Sequence, residues 1–326
     1  MRVLVTGASG FLGGHVAEAL SARGDRVRAM VRKTSNRKHL ATLKDVELFE
    51  GSVEQVERVR EAVDGVDAIV HCAGIVKARN SDEFFAVNVG GTSNLVEAAR
   101  QCGKAIKRFV HVSSLEACGP SADGGPVPAD QENPVTAYGR SKLAAEKVVL
   151  SAQHDMPVVI LRPAAIYGPR DVEILEAFKS VKRGLFPVIN GGRSKTIWIY
   201  ASDCAEACVR AIDADVPSGR VYFVDDGCGA IDMRTMFADF ERALGKKAMR
   251  ATVPMPVLLT LARGVEAFGR ITNRPVMLTR EKAQMLLQDW VCSSEATRKE
   301  LGWEPRVPWN EGVPRAVEWY RANGWL

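Results

Sequence analysis

The chain has 326 residues and a mass of 35.5 kDa, which suits one large α/β unit or two unequal domains. This length excludes a mini-protein that needs disulfides or a bound metal to be stable. Apolar residues make up 46% and charged residues 25% of the chain, so the composition argues against long disordered segments. The net charge of +5 suits an anionic ligand but is far below the clustered excess of a nucleic-acid binder, so no nucleic-acid partner is expected.

The first 170 residues alternate short β-branched segments with helical patterns. Strands are predicted at Arg2–Thr6, Arg26–Val31, Val46–Phe49, Ala68–Cys72, Arg108–Ser113 and Val158–Arg162. Helices are predicted between them at His15–Arg23, Glu54–Val63, Asn94–Cys102 and Tyr138–Gln153. This alternation favours the α/β class, with a doubly wound parallel sheet that helices cover on both faces.

The regular alternation weakens after residue 169. A helix is predicted at Val172–Arg183, a strand at Thr196–Tyr200, a helix at Asp203–Ile212 and a strand at Arg220–Val224. The remainder of the chain is predicted to be mostly helical with loops.

Targeting signals are weak throughout the chain. The apolar segment at the amino terminus is too short for a signal peptide, and no apolar stretch reaches the roughly 20 residues needed to cross a bilayer. Seven scattered cysteines are interpreted as reduced thiols, so we expect a cytoplasmic protein. Residues 253–269 are apolar but interrupted by Arg263 and Glu266. They fit a buried helix or a helix in weak contact with a lipid surface, and the buried helix is favoured.

A glycine-rich turn follows the first strand and opens the first helix. Gly7, Gly10 and Gly13 recur there at three-residue spacing. Glycine permits the tight turn, the approach of backbone to a pyrophosphate and close packing of helix on strand. Because the pattern directly follows a β-branched strand at the start of the chain, it predicts a dinucleotide-binding loop rather than an ordinary strand–helix turn.

The end of the second strand carries the signal for the type of dinucleotide. An acidic residue there binds the ribose 2′-hydroxyl of NAD, whereas arginine accommodates the 2′-phosphate of NADP. No acidic residue occurs between Arg26 and Leu40, and Arg32, Lys33 and Ser35 follow the strand. We therefore expect NADP(H) in preference to NAD(H), because a planar guanidinium suits a phosphate. A solvated basic loop is the alternative interpretation.

A tyrosine and a lysine stand four residues apart at the start of a predicted helix, so Tyr138 and Lys142 share one helix face. A free tyrosine has a pKa of about 10, and a fixed ammonium nearby favours the phenolate, which brings that pKa towards the working range. Ser113 and Ser114 end a predicted strand, at the edge where open α/β sheets bind ligands. Taken singly, these residues would fit a helix-surface pair and a helix cap.

Together these motifs make the chain resemble the extended branch of the short-chain dehydrogenase/reductase superfamily, with its epimerase/dehydratase-like members, over nearly the whole length. The matching segments are Thr6–Gly13, His71–Gly74, Asn88–Thr92, Ser113–Ser114, Tyr138–Lys142, Arg162–Pro169 and residues 296–305. Residues 253–269 and 275–279 are loosely similar to segments of the 3β-hydroxysteroid dehydrogenase, sterol decarboxylase and dihydroflavonol reductase group.

The resemblance implies a Rossmann-type fold, with NADP bound by residues 1–170 and 196–224 and substrate bound by a smaller, mostly helical region of residues 171–195 and 225–326. It implies that Tyr138 exchanges a proton with the substrate oxygen, that Lys142 holds the nicotinamide ribose and that Ser114 orients the substrate oxygen. The cofactor-binding residues that it implies are Thr6, Gly7, Ser9, Gly10, Phe11, Leu12, Gly13, Arg32, Lys33, Ser35, Ser52, Val53, Cys72, Ala73, Gly74, Ser113, Tyr138, Lys142, Pro163, Ala165 and Ile166.

Ser202–Asp203 replaces an Asp-Asp pair of the superfamily, and two further departures from its pattern bear on ligand binding. Ser52 stands where an aspartate usually touches adenine, although a serine can still hydrogen-bond there. Thr196–Ile197 stands where nucleotide-sugar enzymes have an Arg-Asp pair, and losing that arginine removes a diphosphate clamp. This departure argues against a UDP- or dTDP-sugar substrate. Four nearby side chains would form an apolar wall or equally lie in the core: Phe186, Val188, Ile197 and Trp198.

The leading hypothesis is an NADP(H)-dependent oxidoreductase that interconverts a secondary alcohol and a ketone on a small, rather apolar substrate. An epimerase or dehydratase with internal return of the hydride, and a non-catalytic nucleotide-binding scaffold, are the alternatives. No metal site is expected, since Cys204 and Cys208 have no further ligand in range. The resemblance also implies a homodimer through helices Asn94–Cys102 and Tyr138–Gln153, where the small residues Ala144 and Ala145 would let a second helix approach.

Overall fold

The computed structural model describes residues 1–272, 276 and 279–326. Its strands are β1 (Arg2–Thr6), β2 (Arg26–Val31), β3 (Val46–Glu50), β4 (Ala68–His71), β5 (Arg108–Val112), β6 (Val158–Pro163), β7 (Ala165–Tyr167), β8 (Leu185–Ile189), β9 (Lys195–Thr196), β10 (Trp198–Tyr200), β11 (Arg220–Val224), β12 (Ile231–Asp232) and β13 (Met249–Val253).

Helices connect most of these strands. They are α1 (Phe11–Arg23), α2 (Val56–Val63), α3 (Ser81–Phe84), α4 (Gly91–Gln101), α5 (Ala137–Leu150), α6 (Glu173–Lys182), α7 (Ala201–Asp213), α8 (Met233–Leu244), α9 (Met255–Thr272), α10 (Arg280–Met285), α11 (Glu295–Leu301) and α12 (Trp309–Ala322). A π-helical segment at Phe85–Gly90 runs directly into α4, and short 3-10 turns occur at Leu115–Ala117 and Asn190–Gly192.

Seven of the described strands form one sheet in the order β11-β6-β5-β4-β1-β2-β3, and every neighbouring pair in it is parallel. The strands in the middle of the sheet are continuous apolar runs because both of their faces are buried; Val3, Leu4 and Val5 are fully covered. The predicted Rossmann-type, doubly wound α/β fold is confirmed. The strand predictions for β1, β2 and β11 match to the residue.

Alternate residues of β1 point into two separate cores. Val3 and Val5 pack with α1 and α7, in a cluster that includes Val16 and Cys208. Leu4 packs on the other face with α2, α4 and α5. Helices therefore cover both faces of the sheet.

All seven cysteines are free thiols. Ala145 is fully buried within the chain, so the expectation that it lets a second helix approach is wrong, whereas Ala144 is only partly buried.

Beyond β7, some strands differ from the predicted elements. The single strand predicted at Thr196–Tyr200 is wrong, because Ile197 divides it into two strands in different sheets. Its first half, β9, pairs antiparallel with β12, and its second half, β10, pairs parallel with β7. The parallel pair β8–β13 lies where no strand was predicted. The division into nucleotide-binding and substrate-binding regions stays a prediction.

The apolar segment 253–269 falls mostly in α9, and the favoured interpretation of a buried helix is wrong for one of its faces. Leu258 and Ala262 are buried, but Val257, Leu261 and Phe268 are exposed. Within the described residues, none of the helices combines the length and apolar character needed to cross a membrane. Of the similar segment 275–279, residues 275, 277 and 278 lie outside the described part of the chain.

Candidate active site

A cavity of about 930 Å³ opens at the carboxyl ends of the sheet strands. Of the residues predicted to bind cofactor or act in catalysis, two do not line the cavity, namely Thr6 and Lys33. The others do: Gly7, Ser9, Gly10, Phe11, Leu12, Gly13, Arg32, Ser35, Ser52, Val53, Cys72, Ala73, Gly74, Ser113, Ser114, Tyr138, Lys142, Pro163, Ala165 and Ile166. The fold thus gathers residues from the loops after β1, β2, β3, β4 and β5, from β6 and β7 and from α1 and α5 around one cavity.

The glycine loop between β1 and α1 forms one end of the cavity, and its glycines are required by close backbone contacts. Gly7 has a φ of +68°, and a Cβ there would lie 2.8 Å from the amide nitrogen of Ala73. A Cβ on Gly13 would lie 2.3 Å from the carbonyl oxygen of Gly7. The first turn of α1 has no side-chain cap and no acidic residue. Its free N–H groups and the positive end of the helix dipole fit the pyrophosphate of a dinucleotide.

Thr6 does not line the cavity but forms hydrogen bonds that position the loop after β4. Its hydroxyl lies 2.7 Å from Nδ1 of His71 and accepts a hydrogen bond from the Ala73 amide at 3.2 Å. Nε2 of His71 in turn lies 2.9 Å from the Thr92 hydroxyl. Burial lowers the pKa of His71 to about 3, so the ring is neutral. The loop Cys72–Gly74 is therefore positioned by a buried, uncharged network.

The end of β2 presents a basic and polar edge to the cavity. Arg32, Ser35 and Asn36 line it, and the Arg32 side chain forms no hydrogen bond or ion pair with any described residue. Arg37 is engaged instead, because its guanidinium donates to Glu50 at 2.8 Å. Asn36 was missed from the sequence, although its position directly after Ser35 would have suggested it.

Three contacts fix the start of α5, where Tyr138 stands. The Thr136 hydroxyl accepts a hydrogen bond from the Gly139 amide at 2.9 Å and so caps the helix. The Glu281 carboxylate, from α10, accepts a hydrogen bond from the Ala137 amide at 2.6 Å. A Cβ on Gly139 would lie 2.3 Å from the Glu116 carbonyl oxygen, so glycine lets the helix approach that turn. The orientation of Tyr138 is thereby set from both sides.

The pKa of Tyr138 lies above its ordinary value, which is opposite to the direction expected from the sequence. Burial is the largest cause and the Glu116 carboxylate adds to it, while a hydrogen bond with Ser114 acts in the lowering direction. The expected effect of the ammonium fails because Nζ of Lys142 is directed to the Val112 carbonyl oxygen, to which it donates at 2.7 Å. The phenol therefore keeps its proton at neutral pH.

Lys142 is buried, and burial lowers the pKa of its ammonium to about 8. The Glu146 carboxylate, one helical turn further along α5, acts against this effect and raises the pKa. The Cys72 thiol, whose own pKa burial raises, is the next contributor. Lys142 therefore remains mostly charged at neutral pH, and Glu146 is the main counter-ion in its surroundings.

Glu146 stands at the centre of a buried network that sequence reasoning missed. It accepts hydrogen bonds from the Ser113 hydroxyl and from the Arg162 guanidinium, the latter at 2.9 and 2.6 Å. Both partners of the Glu146–Arg162 ion pair are almost fully covered. The four-residue spacing from Lys142 was the available signal, since it places Glu146 on the same face of α5 as Lys142.

Asn88 joins the cavity wall to α5. Its Oδ1 accepts a hydrogen bond from the Ile75 amide at 2.8 Å, and its Nδ2 donates to the Ser141 hydroxyl at 2.9 Å. Asn88 lies in the π-helical segment before α4, a local distortion that is frequent at functional sites. The sequence indicated this residue only as part of a motif and gave no role for it.

Apolar side chains from outside the main sheet line the rest of the cavity: Ile75, Val76, Ile174, Ala177, Trp198 and Met236. Of the four residues expected as an apolar wall, Trp198 alone lines the cavity. Phe186, Val188 and Ile197 are buried in the core instead. Five titratable side chains also line the cavity, namely Glu54, Glu116, Asp171, Glu173 and Lys282. Burial raises the pKa of Glu116 while Lys282 lowers it, and burial raises the pKa of Asp171 to about 6. Among the described residues no cluster of His, Cys, Asp or Glu could hold a metal ion.

Comparisons with known proteins agree with this geometry. The model of the NAD dependent epimerase/dehydratase family matches residues 3–224. Sterol demethylase protein B of Methylococcus capsulatus is 40% identical over 343 aligned positions, which cover 100% of both chains. Ceramide reductase of Caulobacter vibrioides is 32% identical and covers 99% of this chain and 96% of its own length. The crystal structure of a UDP-glucose 4-epimerase from Thermotoga maritima has a TM-score of 0.82 at 21% identity over 99% of each chain, which shows a shared fold.

Proposed function

The chain belongs to the NAD dependent epimerase/dehydratase family and is an NAD(P)-dependent oxidoreductase, and from this premise we propose that it reduces a ketone on an apolar, lipid-like molecule with NADP(H). One observation carries the proposal. A single cavity brings the glycine loop together with Tyr138 and Ser114, and the same cavity has apolar walls from Trp198 and Met236. A dinucleotide and an apolar substrate would therefore meet beside a tyrosine that can donate a proton.

The proposed roles follow from the hydrogen bonds and charges of the side chains. When bound, the nicotinamide supplies a hydride to the carbonyl carbon of the substrate. Tyr138, which burial keeps protonated, donates its hydroxyl proton to the carbonyl oxygen. The Ser114 hydroxyl orients that oxygen, and the Lys142 ammonium holds the nicotinamide ribose. Hydride and proton together convert the ketone to a secondary alcohol, and Tyr138 regains its proton from solvent.

Charge and polarity in the cavity support an apolar substrate. Thr196 and Ile197 provide no cation for a diphosphate, and most side chains around Trp198 and Met236 are apolar. Two relatives carry names that refer to a ceramide and a sterol, which are both lipids with large apolar bodies. These observations favour a lipid ketone over a nucleotide sugar.

The proposed preference for NADP(H) rests on the edge formed by Arg32, Ser35 and Asn36. A guanidinium without a partner among the described residues and two neutral polar side chains suit a 2′-phosphate, and no acidic side chain ends β2. Glu50, on the neighbouring strand, is neutralised by Arg37.

A substrate screen tests the proposed function. The purified chain would be incubated with NADPH or NADH and with steroid ketones, ceramide-type ketones, β-keto acids, flavonoids or nucleotide sugars. We expect net oxidation of NADPH with at least one apolar ketone and none with the nucleotide sugars. Conversion of a nucleotide sugar without net consumption of cofactor would instead support the epimerase or dehydratase alternative. Binding of cofactor without turnover of any substrate would support a nucleotide-binding scaffold.

A further inference from the structure

Helix α9 has an apolar face that no described residue covers. Val257, Leu261, Phe268 and Ile271 are 49, 55, 63 and 85% exposed. Their spacing of four, seven and three residues places all four on one stripe of the helix. The opposite face is buried, since Leu258 and Ala262 pack against Ala283 and Ile189. Large apolar side chains exposed in a continuous row mark a contact surface rather than scattered surface residues.

Most charged residues near this stripe in the sequence are positive. Between Glu241 and Glu266 the sequence contains Arg242, Lys246, Lys247, Arg250 and Arg263 and no acidic residue. All five cationic side chains are exposed. The two bordering acids are engaged, because Glu241 accepts a hydrogen bond from the Ala248 amide at 2.8 Å and Glu266 accepts one from the Arg280 amide at 2.8 Å. Arg242 pairs with Asp239 at 2.7 Å and Lys247 lies 3.6 Å from Glu241, whereas Lys246, Arg250 and Arg263 form no ion pair with a described residue. The region thus combines an apolar stripe with an excess of positive charge.

The apolar stripe and the positive charges together suit a lipid bilayer with anionic headgroups. An 18-residue helix is about 27 Å long. Its charged residues prevent it from spanning a bilayer, but it can lie in the interfacial plane with its apolar stripe in the acyl boundary. Lys246, Lys247 and Arg250 would then attract anionic headgroups. A second copy of the chain would instead oppose like charges around the same stripe. We propose that α9 docks this protein onto an anionic membrane surface through Val257, Leu261, Phe268 and Ile271.

The docking helix is linked to the cavity through α10. Leu258 and Ala262 of α9 pack on Ala283 of α10, whose neighbour Lys282 lines the cavity. Glu281 of α10 caps the helix that carries Tyr138. A membrane-bound α9 would therefore place the cavity within one helix of the bilayer, where a lipid substrate resides. The docking itself does not depend on the proposed substrate.

Vesicle co-sedimentation of the purified full chain tests the docking. The vesicles would be phosphatidylcholine alone or phosphatidylcholine mixed equally with phosphatidylglycerol. We expect binding to the anionic vesicles, weakened by added salt, and far less binding to the neutral ones. The double variant Leu261→Glu/Phe268→Glu should partition at least about tenfold less into anionic vesicles, because it places two carboxylates in the apolar stripe.

A matched control carries the same change of charge elsewhere on the surface. Leu48 and Val56 are also exposed apolar residues but lie in β3 and α2, so Leu48→Glu/Val56→Glu should bind vesicles as the wild-type chain does. Thermal unfolding and NADPH binding would establish that both variants are folded. The proposal is overturned if the wild-type chain does not bind anionic vesicles or if the α9 variant binds them as well as the wild-type chain does. It is equally overturned if light scattering without lipid shows a dimer that Leu261→Glu/Phe268→Glu dissociates, because the stripe would then belong to a second copy.

Discussion

Burial governs the protonation of the two titratable side chains proposed to act on substrate and cofactor. It raises the pKa of Tyr138 and lowers that of Lys142 to about 8, so it drives both groups towards their neutral forms. Glu146 partly offsets the effect on Lys142. At neutral pH the phenol is therefore protonated and the ammonium is mostly charged. This combination suits donation of a proton to a ketone.

Removal of the phenol hydroxyl tests the role of Tyr138. Tyr138→Phe should lower kcat by roughly 10²–10⁴-fold, the usual scale for a lost general acid, and leave the Kd of NADPH nearly unchanged. Steady-state kinetics and a cofactor titration would measure both quantities. Tyr222→Phe is a matched control, because the Tyr222 hydroxyl donates to Glu300 and does not line the cavity. A wild-type kcat in Tyr138→Phe would refute the proposed mechanism.

The pH dependence of reduction tests the role of Lys142. The rate should fall as pH rises through about 8, because the ammonium loses its proton there and no longer holds the ribose. A profile of kcat/KM against pH would show this alkaline limb. In Lys142→Arg the limb should move to higher pH, since a guanidinium stays charged. An alkaline limb at the same pH in both proteins would assign it to another group.

Reversal of charge at the end of β2 tests the cofactor preference. Arg32→Asp should weaken NADPH binding by about tenfold or more and improve NADH binding, because the carboxylate repels a 2′-phosphate and can accept from a 2′-hydroxyl. Titration of both cofactors measures the change. Arg26→Asp, at the opposite end of the same strand, alters the net charge equally and should have little effect. An unchanged Kd for NADPH in Arg32→Asp would indicate that Lys33 or Ser35, rather than Arg32, contacts the 2′-phosphate.

At the scale of elements, a buried ion pair joins α5 to the sheet. Glu146 belongs to α5 and Arg162 to β6, and the guanidinium also donates to the Ala129 carbonyl at 2.6 Å, in the loop before α5. Three segments around the cavity therefore share one charged cluster. Arg162 and Lys142 both balance the charge of Glu146. The ion pair of Glu146 and Arg162 therefore links the position of α5 to the charge of Lys142.

Loss of one member of this pair should be costly. Arg162→Met should destabilise the fold by about 3–5 kcal/mol, because Glu146 would keep a buried charge without its guanidinium partner. Denaturant unfolding would measure the change in the free energy of unfolding. Arg100→Met, which breaks a surface pair with Asp155, should cost at most about 1 kcal/mol. Similar losses in the two variants would contradict the assigned importance of the buried pair.

At the scale of the whole molecule, the carboxyl-terminal elements attach to the segments around the cavity. The Glu281 carboxylate caps α5, and the Tyr320 hydroxyl donates to the Gly168 and Asp171 carbonyl oxygens at 3.0 and 2.9 Å. These contacts attach α10 and α12 to the loops around the active site. The surroundings of the cavity therefore depend on contacts between residues far apart in the sequence.

Assembly into a homodimer stays a prediction at this scale. Leu143, Ala144 and Val148 are partly buried side chains on α5 that a second copy could cover. Light scattering should give a mass of about 71 kDa, twice the 35.5 kDa of the chain. Ala144→Arg should shift the mass towards that of the monomer, because it places a long cation in the close helix contact. A monomeric wild-type chain with full activity would exclude the dimer.

The sequence by itself determined the sheet and the glycine loop, because both depend on local patterns. Buried parallel strands are apolar runs, and a turn against a pyrophosphate accepts only glycine, so short windows of sequence suffice to recognise them. Tyr138, Lys142 and Ser114 were predicted from motif spacing and the family resemblance, and all three line the cavity.

Only the tertiary structure decided the electrostatics of the site and the walls of the cavity. Burial, which no spacing reveals, reversed the expected shift of the pKa of Tyr138. The ion pair of Glu146 and Arg162 joins residues 16 apart, and the cap from Glu281 acts over 144 residues. The two-strand division at Ile197 depends on separate partner strands from elsewhere in the chain. Each of these features depends on contacts between residues that are distant in the sequence. Short windows of sequence do not reveal such contacts.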